Sequence, residues 1–326
     1  MIMKEGILYM KSKDKEFING IKYSENKMAK KILRDARISK WIFYLMFLLE
    51  TITYMLIVIN MQNVNGLIFY SIVYIIFAAC LSIRYAEYSR KSLRESMQNT
   101  ICPEGFLNLN LYNAKKLISN QGAYNYALNN IAYAYIQLGD LNKANEIIEY
   151  VEKRKVNIVL KSAIIQNKMD ISFYNNDVKK FNEEYKNLNS ILKFLPRKYK
   201  KEALLNMNLK QAVINKNRNE VNHICDELEK KKQLLNKVIA SYYRGLMLEE
   251  KNNKEYEKYY KFVAENGNNI MIANKAREKI KLEKSENIYK RKMHLGYKLF
   301  NLIILAMLLI STIFFGEYTI VKYFVV

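Results

Sequence analysis

Long, nearly uncharged apolar stretches lie toward both ends of the chain. Residues 41–61 carry a single charge, Glu50, and residues 66–83 carry none. A third apolar stretch, residues 299–315, has only three polar members. A helix of about 20 apolar residues crosses the roughly 30 Å hydrocarbon core of a bilayer, so the pattern predicts three transmembrane helices. The first two are separated by four uncharged residues and are expected to form a helical hairpin.

The segment between these stretches has the periodicity of amphipathic helices. Apolar residues recur three and four positions apart, and polar interruptions such as Gly139-Asp140 and residues 175–177 break the pattern. Only 10 Gly and 2 Pro occur in 326 residues, and no regularly spaced β-rich runs are present. The sequence therefore predicts an all-α fold and excludes a β-sandwich, a β-barrel and a disordered chain.

Basic residues near the apolar stretches predict the orientation. Residues 22–40 hold seven Lys and Arg, the hairpin loop holds none, and further basic clusters occupy residues 84–100 and 279–298. By the positive-inside rule, the N-terminus and the central segment are cytoplasmic and the C-terminus is external. These flanks carry +12 of the net charge of +22, which suits the anionic lipids of the inner leaflet. No nucleic-acid-binding motif is present, so nucleic acid is not an expected partner.

Two further features fit a cytoplasmic, membrane-anchored chain. About 40 polar residues precede the first apolar stretch, which argues against a cleaved signal peptide, so all three spans are expected to remain as anchors. Cys80 lies in the second span, and Cys102 and Cys225 lie in the cytoplasmic part. All three are expected to be free thiols.

The best internal repeat is the segment Ala127–Glu152, in which large apolar residues and one small residue surround a turn at Gly139. A small residue at position 144 lets two helices cross closely, and bulky neighbours fill the space beside it. This segment resembles a tetratricopeptide repeat, with Ala132 in place of the usual Gly and no closing Pro. The positions that carry the resemblance are Leu128, Ile131, Ala132, Tyr135, Gly139, Ala144, Ile148 and Val151.

The same register continues along the chain at irregular spacing. A closing helix over residues 271–282 resembles the capping helix of such arrays. The resemblance covers residues 104–282 and implies a right-handed superhelix of helix-turn-helix repeats. The positions equivalent to Ala144 are Ala114, Phe181, Val221 and Tyr256, and the bulky partners four residues on are Ile118, Ile148, Tyr185, Cys225 and Tyr260.

These patterns divide the chain into six predicted segments. They are a basic cytoplasmic segment (1–40), a transmembrane hairpin (41–61 and 66–83), a juxtamembrane helix (84–103), the repeat domain (104–282), a second basic juxtamembrane segment (283–298) and a transmembrane helix with a short external tail (299–326).

The resemblance also implies a concave groove, lined by the first helix of each repeat, that binds a peptide or a partner helix. Asn and Lys hold an extended peptide by its amides or a carboxylate, and Tyr adds stacking area. The alternative is that these are ordinary solvated faces, because Asn and Tyr are abundant in this chain. The predicted groove residues are Tyr126, Asn129, Tyr133, Gln166, Asp170, Asn206, Lys210 and Ser241.

Catalytic signatures are weak. His223 and Cys225 lie on one predicted helix, but a nucleophile pair or a metal site needs more partners, so a buried thiol beside a surface imidazole is favoured. Adjacent carboxylates such as Glu183 and Glu184 point to different sides of a helix and indicate solvated surface. We therefore expect no enzymatic activity, no metal and no cofactor.

Glu50 is the most informative single residue. A carboxyl group inside a span is costly unless it is paired or protonated, so it indicates function by default. In an antiparallel hairpin its depth matches Tyr74, which could donate a hydrogen bond. We expect Glu50 to dock the hairpin against itself, the third span or a partner. Ion coupling is disfavoured because the spans hold no second ionisable group.

Together these observations predict a membrane-anchored adaptor or scaffold that binds a protein or peptide at the cytoplasmic face. The alternative is an accessory subunit of a membrane transport or secretion complex, whose contacts are made mainly by the transmembrane helices. A membrane enzyme is a third class, and it requires a site that no motif reveals. The sequence leaves the partner and the oligomeric state open.

Overall fold

The structure is a computed structural model that describes residues 12–60 and 64–282. Within these ranges the chain is helical without any β-strand, which confirms the all-α prediction for this part of the chain. The predicted third span (299–315) and the basic segment before it lie outside the described residues. The helices are α1 (12–20), α2 (Lys27–Asn60), α3 (Val64–Gln98), α4 (Pro103–Leu117), α5 (Gln121–Leu138), α6 (Leu141–Glu152), α7 (Ile158–Tyr174), α8 (Val178–Leu192), α9 (Arg197–Ile214), α10 (Arg218–Glu229), α11 (Leu234–Glu249), α12 (Tyr256–Asn266) and α13 (Met271–Ile280).

The described chain divides into two compact units. The repeat unit comprises residues 12–33 and 93–282, and the hairpin unit comprises residues 34–60 and 64–92. Each unit has its own set of internal contacts and is described separately below.

In the hairpin unit, two helices are long and apolar enough to span a membrane by length and composition. Their most apolar parts have mean hydropathies of 2.2 and 1.3, and side chains such as Trp41, Leu45 and Ile75 are mostly exposed. The predicted spans 41–61 and 66–83 are parts of longer helices. Residues 27–40 before the first span and residues 84–98 after the second belong to the same helices without a break.

Side-chain contacts join α2 and α3 along the length of the hairpin. Near one end, Ser39 Oγ and the Tyr88 hydroxyl are 2.8 Å apart, and the rings of Phe43 and Tyr85 stack with centroids 4.5 Å apart. Nearer the loop, a 2.8 Å hydrogen bond joins the Tyr54 hydroxyl to Ser71 Oγ. The two helices are therefore antiparallel neighbours, as the hairpin prediction required.

In the repeat unit, polar residues end one helix and begin the next. A single side chain caps the N-terminus of several helices by accepting a hydrogen bond from the backbone N–H three residues on, which satisfies a donor that the helix leaves unpaired. Gly139 has φ +85°, a left-handed conformation that favours glycine at a helix C-terminus. The capping residues are Asn120, Asp140, Asn157, Asp177 and Asn217.

The segment Ala127–Glu152 forms the predicted helical pair, α5 and α6. Its register residues are buried except Gly139, which lies exposed in the turn, and Leu128, Ile131 and Ala144 are fully buried. Further along, Phe181 and Val221 are fully buried at their predicted crossing positions, whereas Tyr256 is only half-buried. The register is therefore kept in all but the last of the predicted units.

Successive helices pack as consecutive pairs, and the first helices α5, α7 and α9 also contact one another. This pairing is compatible with a helical repeat. The chain then returns on itself, because α13 contacts α5 and Asn269 Nδ2 donates a 2.6 Å hydrogen bond to Glu104 Oε1 on α4. The handed superhelix stays a prediction, and the contact between α13 and α5 is an additional feature that the repeat pattern did not anticipate.

Candidate functional site

A polar cleft of about 180 Å³ lies over the first helices of the repeat unit. It crosses α5, α7 and α9, whose neighbouring faces supply all of its lining. The lining residues are Asn129, Asn130, Tyr133, Ala163, Gln166, Asn167, Met169, Asp170, Asn206, Met207 and Lys210. We call this feature the amide cleft, because five of these residues carry a side-chain amide.

Hydrogen bonds between helices hold the amides of the cleft. The Asn167 amide on α7 donates to Asn129 Oδ1 at 2.9 Å and to the Asn129 carbonyl at 3.3 Å. Asn130 donates to Asn110 Oδ1 at 3.1 Å. Asn206 is exposed and makes no hydrogen bond to any described residue, so its amide is available to a ligand. The cleft thus combines fixed amides at its base with a solvent-facing amide on α9.

One ion pair crosses the cleft. Asp170 on α7 pairs with Lys210 on α9, and the two side chains are only 14% and 12% exposed. They are also the only charged side chains among the lining residues, so their charges cancel within the cleft. A cleft of this kind favours a neutral polar ligand over an anion, because Lys210 already has a partner.

Three tyrosines lie near the ion pair between Asp170 and Lys210. Tyr133 lines the cleft, and Tyr174 of α7 and Tyr243 of α11 are close enough to Asp170 to feel its charge. Burial raises the pKa of all three phenols, and the negative charge of Asp170 raises it further. Each hydroxyl therefore stays protonated at neutral pH and acts as a neutral hydrogen-bonding group.

The cleft brings together six of the eight residues predicted for a groove: Asn129, Tyr133, Gln166, Asp170, Asn206 and Lys210. Tyr126 lies elsewhere, because its hydroxyl donates to Asn157 Oδ1 (3.0 Å) at the start of α7. Ser241 is buried within α11 and does not line the cleft. Its helix, α11, packs against α10, α12 and α13 and supplies none of the lining residues.

Sequence reasoning missed several lining residues, of which Asn167 is the most important because it joins α7 to α5. A signal for it exists: Asn129, Asn167 and Asn206 recur after 38 and 39 residues, close to the spacing of the repeats. Met169 and Met207 are buried apolar members of the lining. Their sequence positions do not distinguish them from other core residues.

Glu50 lies buried in the hairpin unit, but the predicted hydrogen bond to Tyr74 is absent. The Tyr74 hydroxyl is instead 3.2 Å from Thr51 Oγ1, and its ring stacks on Tyr54. Two residues at the same depth in a hairpin need not face each other, because consecutive residues on a helix point in directions about 100° apart. Here Thr51 faces Tyr74, and the preceding residue, Glu50, does not. Neither carboxyl oxygen of Glu50 has a hydrogen-bond partner among the described residues.

The Cys225 thiol and the His223 imidazole do not form a nucleophile pair. Cys225 is fully buried, its Sγ donates to the Ala240 carbonyl at 3.5 Å, and burial raises the pKa of the thiol to about 12. His223 is exposed on the same helix. A protonated, buried thiol is a poor nucleophile. No group of three or more metal-binding side chains occurs in residues 12–60 and 64–282.

No family model matches the chain, and no curated protein or solved structure matches it either. The resemblance to tetratricopeptide repeats therefore depends on the residues of Ala127–Glu152 and on the pairing of α5 with α6.

Proposed function

We propose that this protein is a membrane-anchored helical-repeat adaptor, and that the amide cleft binds an extended segment of a partner protein at the cytoplasmic face. The observation that carries the proposal is the row of amide side chains on three neighbouring helices, beside an ion pair whose charges cancel.

Side-chain amides suit a peptide backbone because each offers both a donor and an acceptor, as a peptide group does. Packed helices lie roughly 8–10 Å apart, so a ligand that crosses α5, α7 and α9 spans roughly 18 Å. An extended chain advances about 3.3 Å per residue, so a segment of about six residues fills this distance. The cleft therefore matches a short linear segment better than a compact small molecule.

The ion pair between Asp170 and Lys210 refines the choice of ligand. A segment with a free carboxylate or an acidic side chain would compete with Asp170 for Lys210 and leave one buried charge unpaired. A segment with neutral polar or small apolar side chains meets no such cost. The expected ligand is thus recognised through its backbone.

The hairpin unit supplies the membrane anchor in this proposal. Its apolar helices are the two described helices that pass the length and composition test for a membrane span, and basic residues flank them. Tethering raises the effective concentration of the cleft near partners in the same membrane, which lets a weak contact with a short segment suffice.

The test is recovery of the partner with full-length protein from native membranes after mild crosslinking. The double variant Asn206→Ala and Gln166→Ala removes two cleft amides that make no contact between helices. We expect recovery to fall at least tenfold, which is the loss of roughly 1.4 kcal/mol. The matched control is Asn189→Ala with Asn222→Ala, on second helices away from the cleft. Equal recovery from both double variants would contradict the proposal.

Glu50 favours a second candidate, an accessory subunit that binds its partner through the hairpin. A buried carboxyl group without a hydrogen bond is costly, so an apolar residue would suit an isolated hairpin better. If the carboxyl group serves a partner in the membrane, Glu50→Leu abolishes partner recovery, and the double variant in the cleft leaves recovery unchanged. If Glu50→Leu leaves partner recovery unchanged and the double variant in the cleft abolishes it, the adaptor is supported.

A further inference from the structure

The turn between α8 and α9 exposes an aromatic side chain within a dense patch of positive charge. Phe194 is 63% exposed and Tyr199 is 44% exposed. Five cations lie in the same nine-residue stretch, and all of them are exposed: Lys193, Arg197, Lys198, Lys200 and Lys201. We call residues 193–201 the basic-aromatic turn.

The cations of this turn are not matched by acidic partners in the described chain. None of the five forms an ion pair with any described residue. Lys193 lies over the ring of Phe194, with its nitrogen 5.0 Å from the ring centroid. The turn between α11 and α12 is different, because Lys251 and Lys254 alternate there with acidic residues. An ordinary solvated turn mixes its charges in that way, and the basic-aromatic turn does not.

Helix stability does not explain the cations. α9 begins at Arg197, and four of the five cations lie in its first five residues, where positive charge opposes the helix dipole. The exposed ring of Phe194 adds nothing to either core cluster of the repeat unit. The cations at the start of α9 and the exposed ring of Phe194 are thus both unfavourable for the isolated protein in water. A partner with an anionic surface and an apolar interior would make both favourable.

We propose that the basic-aromatic turn docks on the surface of an anionic phospholipid bilayer. Phe194 enters the boundary between headgroups and acyl chains, while the flanking cations contact lipid phosphates. The bilayer is preferred over other anionic partners because an exposed aromatic ring needs an apolar phase, and because the chain carries two helices able to span a membrane. This inference does not depend on the amide cleft.

The experiment uses the position of a single tryptophan in the full-length chain. Trp41 is the sole tryptophan, so Trp41→Phe with Phe194→Trp places one fluorophore at the turn. The protein is reconstituted in neutral phosphatidylcholine vesicles and in vesicles containing phosphatidylserine, each with and without acyl-brominated lipid. We expect a blue-shifted emission that brominated lipid quenches in the anionic vesicles, and weaker quenching in 1 M salt.

Two controls make the test specific. Val178→Trp in the same background lies at the opposite end of α8, about 22 Å away, and should stay unquenched. Each cation near an anionic surface contributes roughly a fivefold factor, so Lys198→Gln, Lys200→Gln and Lys201→Gln together should weaken insertion roughly 100-fold. The matched triple variant, Lys251→Gln, Lys254→Gln and Lys258→Gln, should leave it unchanged.

Emission at position 194 that is the same in neutral and anionic vesicles would overturn the proposal, whether or not lipid quenches it. Stronger protection of the fluorophore by added RNA or polyglutamate than by anionic vesicles would also overturn it, and would assign the turn to another polyanion. Circular dichroism of each variant checks that helicity is retained, so that loss of quenching reports docking and not unfolding.

Discussion

The repeat unit and the hairpin unit are both built from helices, but they treat apolar side chains in opposite ways. In the repeat unit, Leu128 and Ile131 are completely buried. In the hairpin unit, Trp41 is 73% exposed and Ile75 is 63% exposed. Water favours the first arrangement and hydrocarbon favours the second, so the two units are suited to different solvents.

Buried acidic groups show the same contrast. Asp14 in α1 is fully buried and accepts hydrogen bonds from Tyr150 (2.6 Å) and Gln121 (3.1 Å), and it also pairs with Arg154. Glu50 in α2 is almost as buried and accepts none from the described residues. The repeat unit therefore satisfies its buried acid internally, whereas the hairpin unit carries an acid that its own described residues leave unsatisfied.

The largest expected effect is the loss of stability when an apolar side chain is shortened, and it should differ between the two units. Leu128→Ala opens a cavity in the core of the repeat unit and should lower its free energy of unfolding by about 2–5 kcal/mol. Leu45→Ala removes a side chain that is mostly exposed and should change it by less than about 0.5 kcal/mol. Chemical denaturation of the full chain in detergent, followed by circular dichroism, measures both. Equal losses would remove the contrast.

A charged substitution tests whether the exposed face of the hairpin contacts lipid. Ile75→Arg places a cation within an apolar helix and should cost about 2.5–3.5 kcal/mol of membrane insertion. Val178→Arg, on an exposed site of the repeat unit, should cost nothing. The readout is the fraction of protein that resists extraction from membranes by alkaline carbonate. Membrane retention of Ile75→Arg at the wild-type level would mean that the exposed face of α3 does not meet lipid.

A smaller effect is expected at the turn between α5 and α6. Gly139→Ala forces a residue with a Cβ into the left-handed conformation and should cost about 1–2 kcal/mol. Crowding is not the cause, because an added Cβ meets Met271 at an ordinary 3.5 Å. Gly122→Ala, within α5, where an added Cβ meets Asn120 Oδ1 at an ordinary 3.7 Å, should be neutral or slightly stabilising. Thermal unfolding of both variants gives the comparison, and equal losses would contradict this account of the turn.

The smallest effect concerns the buried thiols of the repeat unit. Burial raises the pKa of Cys102 and Cys225 from 9.0 to about 12, so the folded state holds these protons more tightly than the unfolded state. Their contribution to stability is complete below pH 9 and is lost as the pH rises from 9 through 12, by about 1 kcal/mol per thiol at pH 10. Unfolding midpoints between pH 7 and 10 measure it. Cys225→Ala should flatten this dependence, and an unchanged slope would exclude the thiol as its cause.

Much of the fold was predictable because its determinants are local. Gly139, Asp140 and Asn175–Asp177 end and begin helices through their own backbone and side-chain preferences, and the structure places turns there. The lengths of α2 and α3 were not predictable from hydropathy, since a helix continues through the bilayer surface wherever the flanking sequence is also helix-forming. Packing of α13 against α5 depends on contacts distant in sequence, which a repeat pattern does not encode.

The site was predictable where the first helices of successive repeats pack side by side, as α5, α7 and α9 do. Counting from α5 found Asp170 and Lys210 but missed Asn167, which is one residue away from the counted offset. The same counting gave Ser241, which lies on α11, a helix that packs against α10, α12 and α13 and does not line the cleft. In the hairpin, Tyr74 was matched to Glu50 by depth alone, without regard to rotation about the helix axis, and the Tyr74 hydroxyl lies beside Thr51 instead.

The central claim is that the amide cleft, and not the hairpin, binds the partner. The most direct measurement is site-specific photocrosslinking in native membranes, with a photoreactive phenylalanine derivative in place of Asn206 in the cleft, Asn189 on α8 away from the cleft, or Leu48 in the hairpin. The account predicts a discrete crosslinked product from position 206 and none from position 189. A product from position 48 without one from position 206 would contradict it.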